Sequence, residues 1–302
     1  MSEFTYKKRS FGRLCFSDKL FYCLTTAFLA FFMLIVLLPL INIVACSFSG
    51  SYAGSAGQVY LLPKKFTLEG YKTVFNYRGI WRAYGMTFFY TIVGTVINLA
   101  MTMLCAYPLS QRDLPLKGPV IGLMTFTMFF GGGLIPYYVT IMRLKMIDTF
   151  WVMVLPGAIS AHNVIVFKTF FMSIPEELRE SANLDGAGHV RILFQIVLPL
   201  SKAVLATFAL FSIVGYWNDY MTALLYLRDD TKYPIQLLMR RLLVLMDYKD
   251  ASTAQLLKDY SSISSRTTKA AATIITVVPV LCVYPFMQKH FAKGALVGSV
   301  KA

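Results

Sequence analysis

The apolar run from Phe21 to Cys46 constrains this chain more than any other feature. A helix apolar on every side over that length has no place in a small soluble fold, whereas ~20 such residues cross the hydrocarbon core of a bilayer. The run also exceeds the ~7–15 residues of a secretory-signal core. Ile43-Val44-Ala45-Cys46 therefore reads as part of a span and not as a lipoprotein cleavage site. Five further apolar stretches follow, at about 84–109, 117–141, 149–172, 199–219 and 267–287. Charged residues make up 15% of the chain, against about a quarter in soluble proteins. The expected fold class is all-α, a polytopic membrane protein with six transmembrane helices.

Lys and Arg number 29 against 15 Asp and Glu, a net charge of +14. On a soluble chain that excess would point to nucleic acid. Here the basic residues flank spans, so the expected contact is membrane lipid, with no nucleic acid. None of the five cysteines forms a C-x-x-C pair, and His162, His189 and His290 match no metal spacing. The sequence has no phosphate-binding G-x-x-x-x-G-K-[ST] run, so it is not expected to hydrolyse ATP by itself. A membrane-embedded enzyme needs paired catalytic groups at membrane depth, and a sensor needs a sizeable soluble domain. The sequence offers neither, since no loop exceeds about 50 residues.

Residues 1–17 carry Lys7, Lys8, Arg9 and Arg13, which places the N-terminal segment in the cytoplasm. Residues 18–83 read as the first transmembrane helix and an external loop, 84–287 as a core with five transmembrane helices, and 288–302 as a cytoplasmic tail. Counted with that cluster, Lys and Arg are spread about equally over the two sides, in shorter loops on the cytoplasmic one, so the orientation rests on the N-terminal cluster and on the resemblance drawn below. Gly131-Gly132-Gly133 and Pro136 interrupt the third span. Two readings stand: close packing against a neighbouring helix, or an unwound bend beside a pathway. In the external region 221–266, Ile235, Leu238, Met239, Leu242, Leu243 and Met246 recur at helical spacing, with Arg240 and Arg241 on the other side. That pattern predicts an amphipathic helix lying on the bundle or at the interface.

Between spans four and five lies Ser173–Pro199, the longest amphipathic piece. Ser173 and Glu176 have capping-box spacing, and Pro175 suits a first turn. A helix to about Leu184 is expected, then a break at Asp185-Gly186-Ala187-Gly188. A second helix should follow, with Val190, Phe194 and Val197 on one face, and Pro199 should open span five. Glu180-Ser181-Ala182, Asp185-Gly186-Ala187 and then Ile196, Leu198 and Pro199 resemble the EAA loop of ABC-importer permeases, with Ser181 where Ala is usual.

The resemblance extends over nearly the whole chain. Phe130 to Pro136, Asp148-Thr149-Phe150-Trp151, Leu155-Pro156-Gly157-Ala158 and the ending from Tyr284 to Lys301 are similar to carbohydrate-uptake permeases of the maltose-system inner type. More narrowly they resemble the LplC/YtcP-like branch, associated with oligosaccharides from complex polysaccharides. The resemblance implies an ABC type I importer permease fold in the bacterial inner membrane. It implies a second homologous permease subunit, two ATPase subunits that grip the EAA loops, and an extracytoplasmic solute-binding protein that delivers an oligosaccharide. No cofactor would sit in this chain, since ATP and Mg would be bound by the partner ATPase. Glu180, Ser181, Ala182, Asp185, Gly186 and Ala187 would form the ATPase-coupling site. An ABC permease for a non-sugar solute is the alternative.

Polar residues inside spans are costly and tend to face protein or a water-filled cavity. Asn98, Asn163, Asn218 and Asp219, with the ring of Trp217, are candidates for a substrate pathway, because amides, carboxylates and aromatic faces recognise sugars. Hydrogen bonding between helices and an aromatic anchor at the outer interface are the competing readings.

Overall fold

The computed structural model describes residues 16–50, 54, 57–77, 79–247 and 266–299. Among these, helices dominate, and the only strand-like pairing is one isolated bridge between Ser49 and Phe66. By its internal contacts the chain divides into two units, Met1–Val74 with Ser261–Ile274, and Phe75–Tyr260 with Ile275–Ala302.

The first unit is built on α1 (Phe16–Ser47), whose side chains are exposed along almost its whole length and buried only at Ala45, Cys46 and Ser47. That end is tied down by polar contacts. Asn42 donates to the carbonyls of Val59 and Tyr60 at 2.9 and 2.7 Å, and the hydroxyls of Ser47 and Tyr71 meet at 2.8 Å. Tyr71 lies on α2 (Glu69–Asn76), a helix shared with the start of the second unit.

The second unit is organised around α3 (Ile80–Ser110), a 31-residue helix of about 46 Å. Its buried face recurs at helical spacing through Ile80, Ala83, Thr87, Thr91, Gly94, Asn98, Thr102 and Ala106. Against it lie α7 (Ala161–Met172) and α10 (Lys202–Asn218). Gly94 is required at one crossing: a Cβ there would stand 2.6 Å from the ring of Tyr216.

Among the described residues three helices are long and apolar enough to cross a membrane, or five if each of two bent pairs is one span. The first pair is α4 (Lys117–Phe129) and α5 (Leu134–Arg143), bent by 117°. Gly133 there has φ +81°, and among the described residues no atom beyond the adjoining ones lies within 4 Å of a Cβ built at Gly131 or Gly133. Within this chain the glycines make a bend and not a close helix contact. The expected span 149–172 is broken: α6 (Trp151–Val154) is a single turn, and α7 begins only at Ala161. The second bent pair is α9 (His189–Leu200) and α10, turned by 83° at Ser201.

The region after α10 folds back onto the bundle. After α11 (Met221–Tyr226), α12 (Ile235–Asp247) buries Ile235, Leu237, Met239 and Leu242. Arg240 and Arg241 lie outside, over the rings of Tyr220 and Tyr233. This is the expected amphipathic helix; the side chains of Leu243 and Met246 and residues 248–265 lie outside the described residues. A clasp fixes the segment leading into α12. Asp148, in a left-handed conformation, accepts from the N–H groups of Arg228 and Asp229 at 3.1 Å and pairs with Lys232 at 3.1 Å. The N–H of Asp229 holds the Asp148 carboxyl below the usual carboxylate range, and the Asp148 contact raises Lys232. The final helix is α13 (Arg266–Ser299).

Candidate functional site

The loop between spans four and five forms α8 (Glu177–Leu184), an elbow, and α9. The elbow is closed by two bonds, Gly186 N–H to the Asn183 carbonyl at 3.0 Å and Ala187 N–H to the Ala182 carbonyl at 2.9 Å. With Gly186 at φ +78°, this is a Schellman ending, which needs a residue that tolerates left-handed backbone. Ala182 and Ala187 turn inward onto the core formed by Phe167, Phe171, Ile192 and Val197. Glu180, Ser181, Asp185 and Gly186 face out. Beside them Leu184 is 90% exposed and Val190 71%, so the outer surface of the elbow is apolar and ringed by polar groups.

Two details differ from the sequence expectation. Ser173 does not cap α8, since its hydroxyl bonds back to the Phe170 carbonyl at 2.7 Å and ends α7 instead. Val190, Phe194 and Val197 do not share a face: Val197 is fully buried while Val190 and Phe194 are exposed. Residues Leu193–Val197 are wound as a π-helix, which adds residues to the turn and re-phases the face. Pro199 accordingly sits in the last turn of α9, and the next helix, α10, begins at Lys202.

Two cavities open where the spans are broken. One, of about 260 Å³, is lined by Asn98, Gly157, Asn163, Ser212, Tyr216 and Asp219, among others. Asn98 spans the break in span four: its amide donates to the carbonyls of Gly157 at 2.8 Å and Ala158 at 3.4 Å, and accepts from Ser212 at 3.0 Å. The other cavity, of about 470 Å³, lies at the bend of span three, against Gly131, Gly132, Gly133, Tyr137, Thr222 and Tyr226. Unwound backbone at membrane depth is tolerated only where protein or a water-filled cavity covers it.

The sequence matches the family described as binding-protein-dependent transport system inner membrane component over residues 13–297. The chain belongs to that family. It is 42% identical over 284 residues to the polygalacturonan/rhamnogalacturonan transport system permease protein YtcP of Bacillus subtilis, covering 94% of this chain and 99% of that one. It is 42% identical over 267 residues to protein LplC of the same organism, covering 88% and 90%. Among solved structures it is similar to a chain of a bacterial ABC transporter that imports the acidic polysaccharide alginate, with TM-score 0.85, 31% identity and coverage of 92% and 99%. The fold is thus that of an ABC-importer permease, and the chain is a transport subunit of the inner membrane and not an enzyme.

Of the five pathway candidates in this permease, three meet at the smaller cavity: Asn98, Asn163 and Asp219. Asn98 is only 5% exposed and its amide is engaged by the break. Asp219 also accepts from the Thr222 N–H at 3.0 Å, starting α11. Trp217 and Asn218 lie elsewhere. The Trp217 ring is 3% exposed, packs between Tyr84 and Phe88, and donates to the Thr276 carbonyl at 3.2 Å, so it offers no face to a sugar. Asn218 bonds Val214 and Gln236. The aromatic groups at the cavity are instead Phe211 and Tyr216, the latter set between Gly94 and Gly157. The two glycines give no sequence signal, because their role depends on a ring far along the chain.

Proposed function

We propose that this chain is the permease subunit of an ATP-driven, binding-protein-dependent importer for oligosaccharides, of the kind released from acidic plant or algal polysaccharides. The observation that carries the reading is the extent of the relationship to a permease named for polygalacturonan and rhamnogalacturonan, which spans nearly all of both chains. The alginate importer, alike in fold and nearly a third identical, points the same way. The amides, hydroxyls and carboxylate around the small cavity suit a hydroxyl-rich solute.

In this reading the elbow docks on an ATPase subunit through Glu180, Ser181, Asp185 and Gly186, with Leu184 and Val190 supplying apolar area. A second homologous permease completes the pathway, and an extracytoplasmic binding protein delivers the sugar. ATP and Mg reside on the ATPases, and this chain carries no cofactor. Both termini lie in the cytoplasm, on the side of the elbow. ATP closes the ATPase pair, the elbow moves with it, and the bundle shifts from inward-open to outward-open. The ATPase needs only to bind one bundle state more tightly than the other.

The test is purification of the chain from its native membrane, then reconstitution of what accompanies it. A second permease and a P-loop ATPase should co-purify, and short oligogalacturonides presented with the binding protein should stimulate ATP hydrolysis. Recovery of the chain alone, stable in mild detergent, would overturn the importer reading. Stimulation by a non-sugar solute in place of oligogalacturonides would overturn the substrate.

A further inference from the structure

Helix α8 is held to the rest of the chain in an unusual way. Of its eight residues, Arg179 alone is buried, at 8% exposure, and Ala182 alone is half-buried; the others are exposed. No large apolar side chain of α8 anchors it. A guanidinium is rarely buried without an anionic partner. Yet among the described residues Arg179 makes no ion pair, and Glu176 at the same corner pairs with Arg112 at 2.9 Å. One terminal nitrogen of Arg179 donates to the carbonyl of Phe171, and its Nε has no partner among the described residues.

That carbonyl lies in the last turn of α7. The end of a helix leaves carbonyls without intrahelical partners and carries partial negative charge, so a cation is favoured there. The backbone bond to the same oxygen, from Ile174, is long at 3.4 Å. Phe171 itself is fully buried in the core beneath the elbow. Its carbonyl is therefore a fixed point of span four, and Arg179 fastens the elbow to it. At its other end α7 starts at Ser160, directly after the break whose Gly157 and Ala158 carbonyls are held by Asn98 beside the smaller cavity. One rigid helix thus links the Arg179 contact to the cavity.

We infer that Arg179 is a positioning residue that transmits movement of α8 to span four, through the carbonyl of Phe171, and so sets the accessibility of the cavity at Asn163. The inference rests on the importer reading, in which α8 is driven by an ATPase. Ala182 is too small to carry the load, and the Arg112–Glu176 pair is solvent-exposed and of little strength. Rotation of α8 is therefore relayed to α7 at the buried Arg179 contact, beside the linker 173–176 whose Ile174 is buried in the same core.

The experiment uses the whole complex, with the chain's five native cysteines replaced and Asn163→Cys as the reporter. A membrane-impermeant maleimide is applied from outside, with and without ATP and vanadate. With Arg179 present, trapping should change the labelling rate several-fold. Arg179→Met should keep the ATPases bound and hydrolysing ATP but lose most of that change. Arg179→Lys, which keeps a cation able to reach a carbonyl, should restore at least half of it and keeps the test open if the Met variant does not assemble. A full nucleotide response in Arg179→Met would overturn the inference, as would loss of the ATPases from an otherwise intact Met variant, which would make Arg179 a docking residue. A Lys variant no better than Met would also overturn it. Absence of any nucleotide response with Arg179 in place would instead overturn the importer reading.

Discussion

Asn98→Ala separates the two readings of an asparagine at membrane depth. The substitution removes two bonds to the carbonyls of Gly157 and Ala158 and one from Ser212, all at a site 5% exposed. Side-chain hydrogen bonds between membrane helices average ~0.6 kcal/mol each, so three give ~2 kcal/mol. Leaving the two carbonyls buried and unmatched pushes the loss upward, at ~1–3 kcal/mol per group. For a unit of about 200 residues, ~2 kcal/mol lowers the melting temperature by ~4–8 °C. The assay is thermal unfolding of the purified complex in detergent, with oligogalacturonide-stimulated ATP hydrolysis measured alongside at low temperature. Asn98→Ala should melt earlier, while the oligogalacturonide concentration giving half-maximal stimulation stays within about twofold. An unchanged melting temperature together with a large rise in that concentration would refute the structural role and make Asn98 a substrate contact.

The elbow should be sensitive to one backbone conformation. Gly186 sits at φ +78° and a Cβ there meets no described neighbour, so Gly186→Val carries chiefly the ~1–2 kcal/mol left-handed penalty. It should abolish substrate-stimulated ATP hydrolysis with membrane insertion intact, whereas Gly186→Asn, which tolerates that conformation, should keep most of it. Gly94→Ala drives a Cβ against the Tyr216 ring and should cost ~1–3 kcal/mol, relieved by adding Tyr216→Leu; a cycle of melting temperatures measures the coupling. The clasp between Asp148 and Lys232 should respond to pH. Asp148 is depressed in the folded chain, so its contribution is complete above the ordinary carboxylate value and fades as pH falls through the lower folded one. Lys232 is raised, so its contribution is complete below the ordinary lysine value and fades as pH rises beyond it. The hydrogen-exchange protection of residues 226–235, taken relative to intrinsic exchange at each pH, should therefore hold steady around neutral pH, and fall in strong acid or with Lys232→Met.

What the sequence made legible was whatever local chemistry dictates. Apolar runs located the long helices α1 and α3. Asp185-Gly186 located the elbow, because only a residue at ease in left-handed backbone closes a Schellman ending there. The spacing of Ile235, Met239 and Leu242 located α12. The rest depended on contacts between distant residues. Asn98 is identified as a strut only by carbonyls 59 and 60 residues away. Trp217 and Asp219 are two apart in one short polar motif, yet one ring is sealed against Tyr84 and Phe88 while the other side chain reaches a cavity. The π-turn at Leu193–Val197 shows the same limit at shorter range. A periodicity argument presumes an α-helical turn, and one wider turn sends Val190 and Phe194 outward while Val197 stays in. For a protein that must bend, the interrupted turns matter most. The breaks at Gly131–Gly133 and Leu155–Ser160 and the bend at Ser201 divide the spans into short rigid pieces. Alternating access needs pieces of that kind, because packed helices move as bodies and their displacement must be absorbed where the backbone is already unwound.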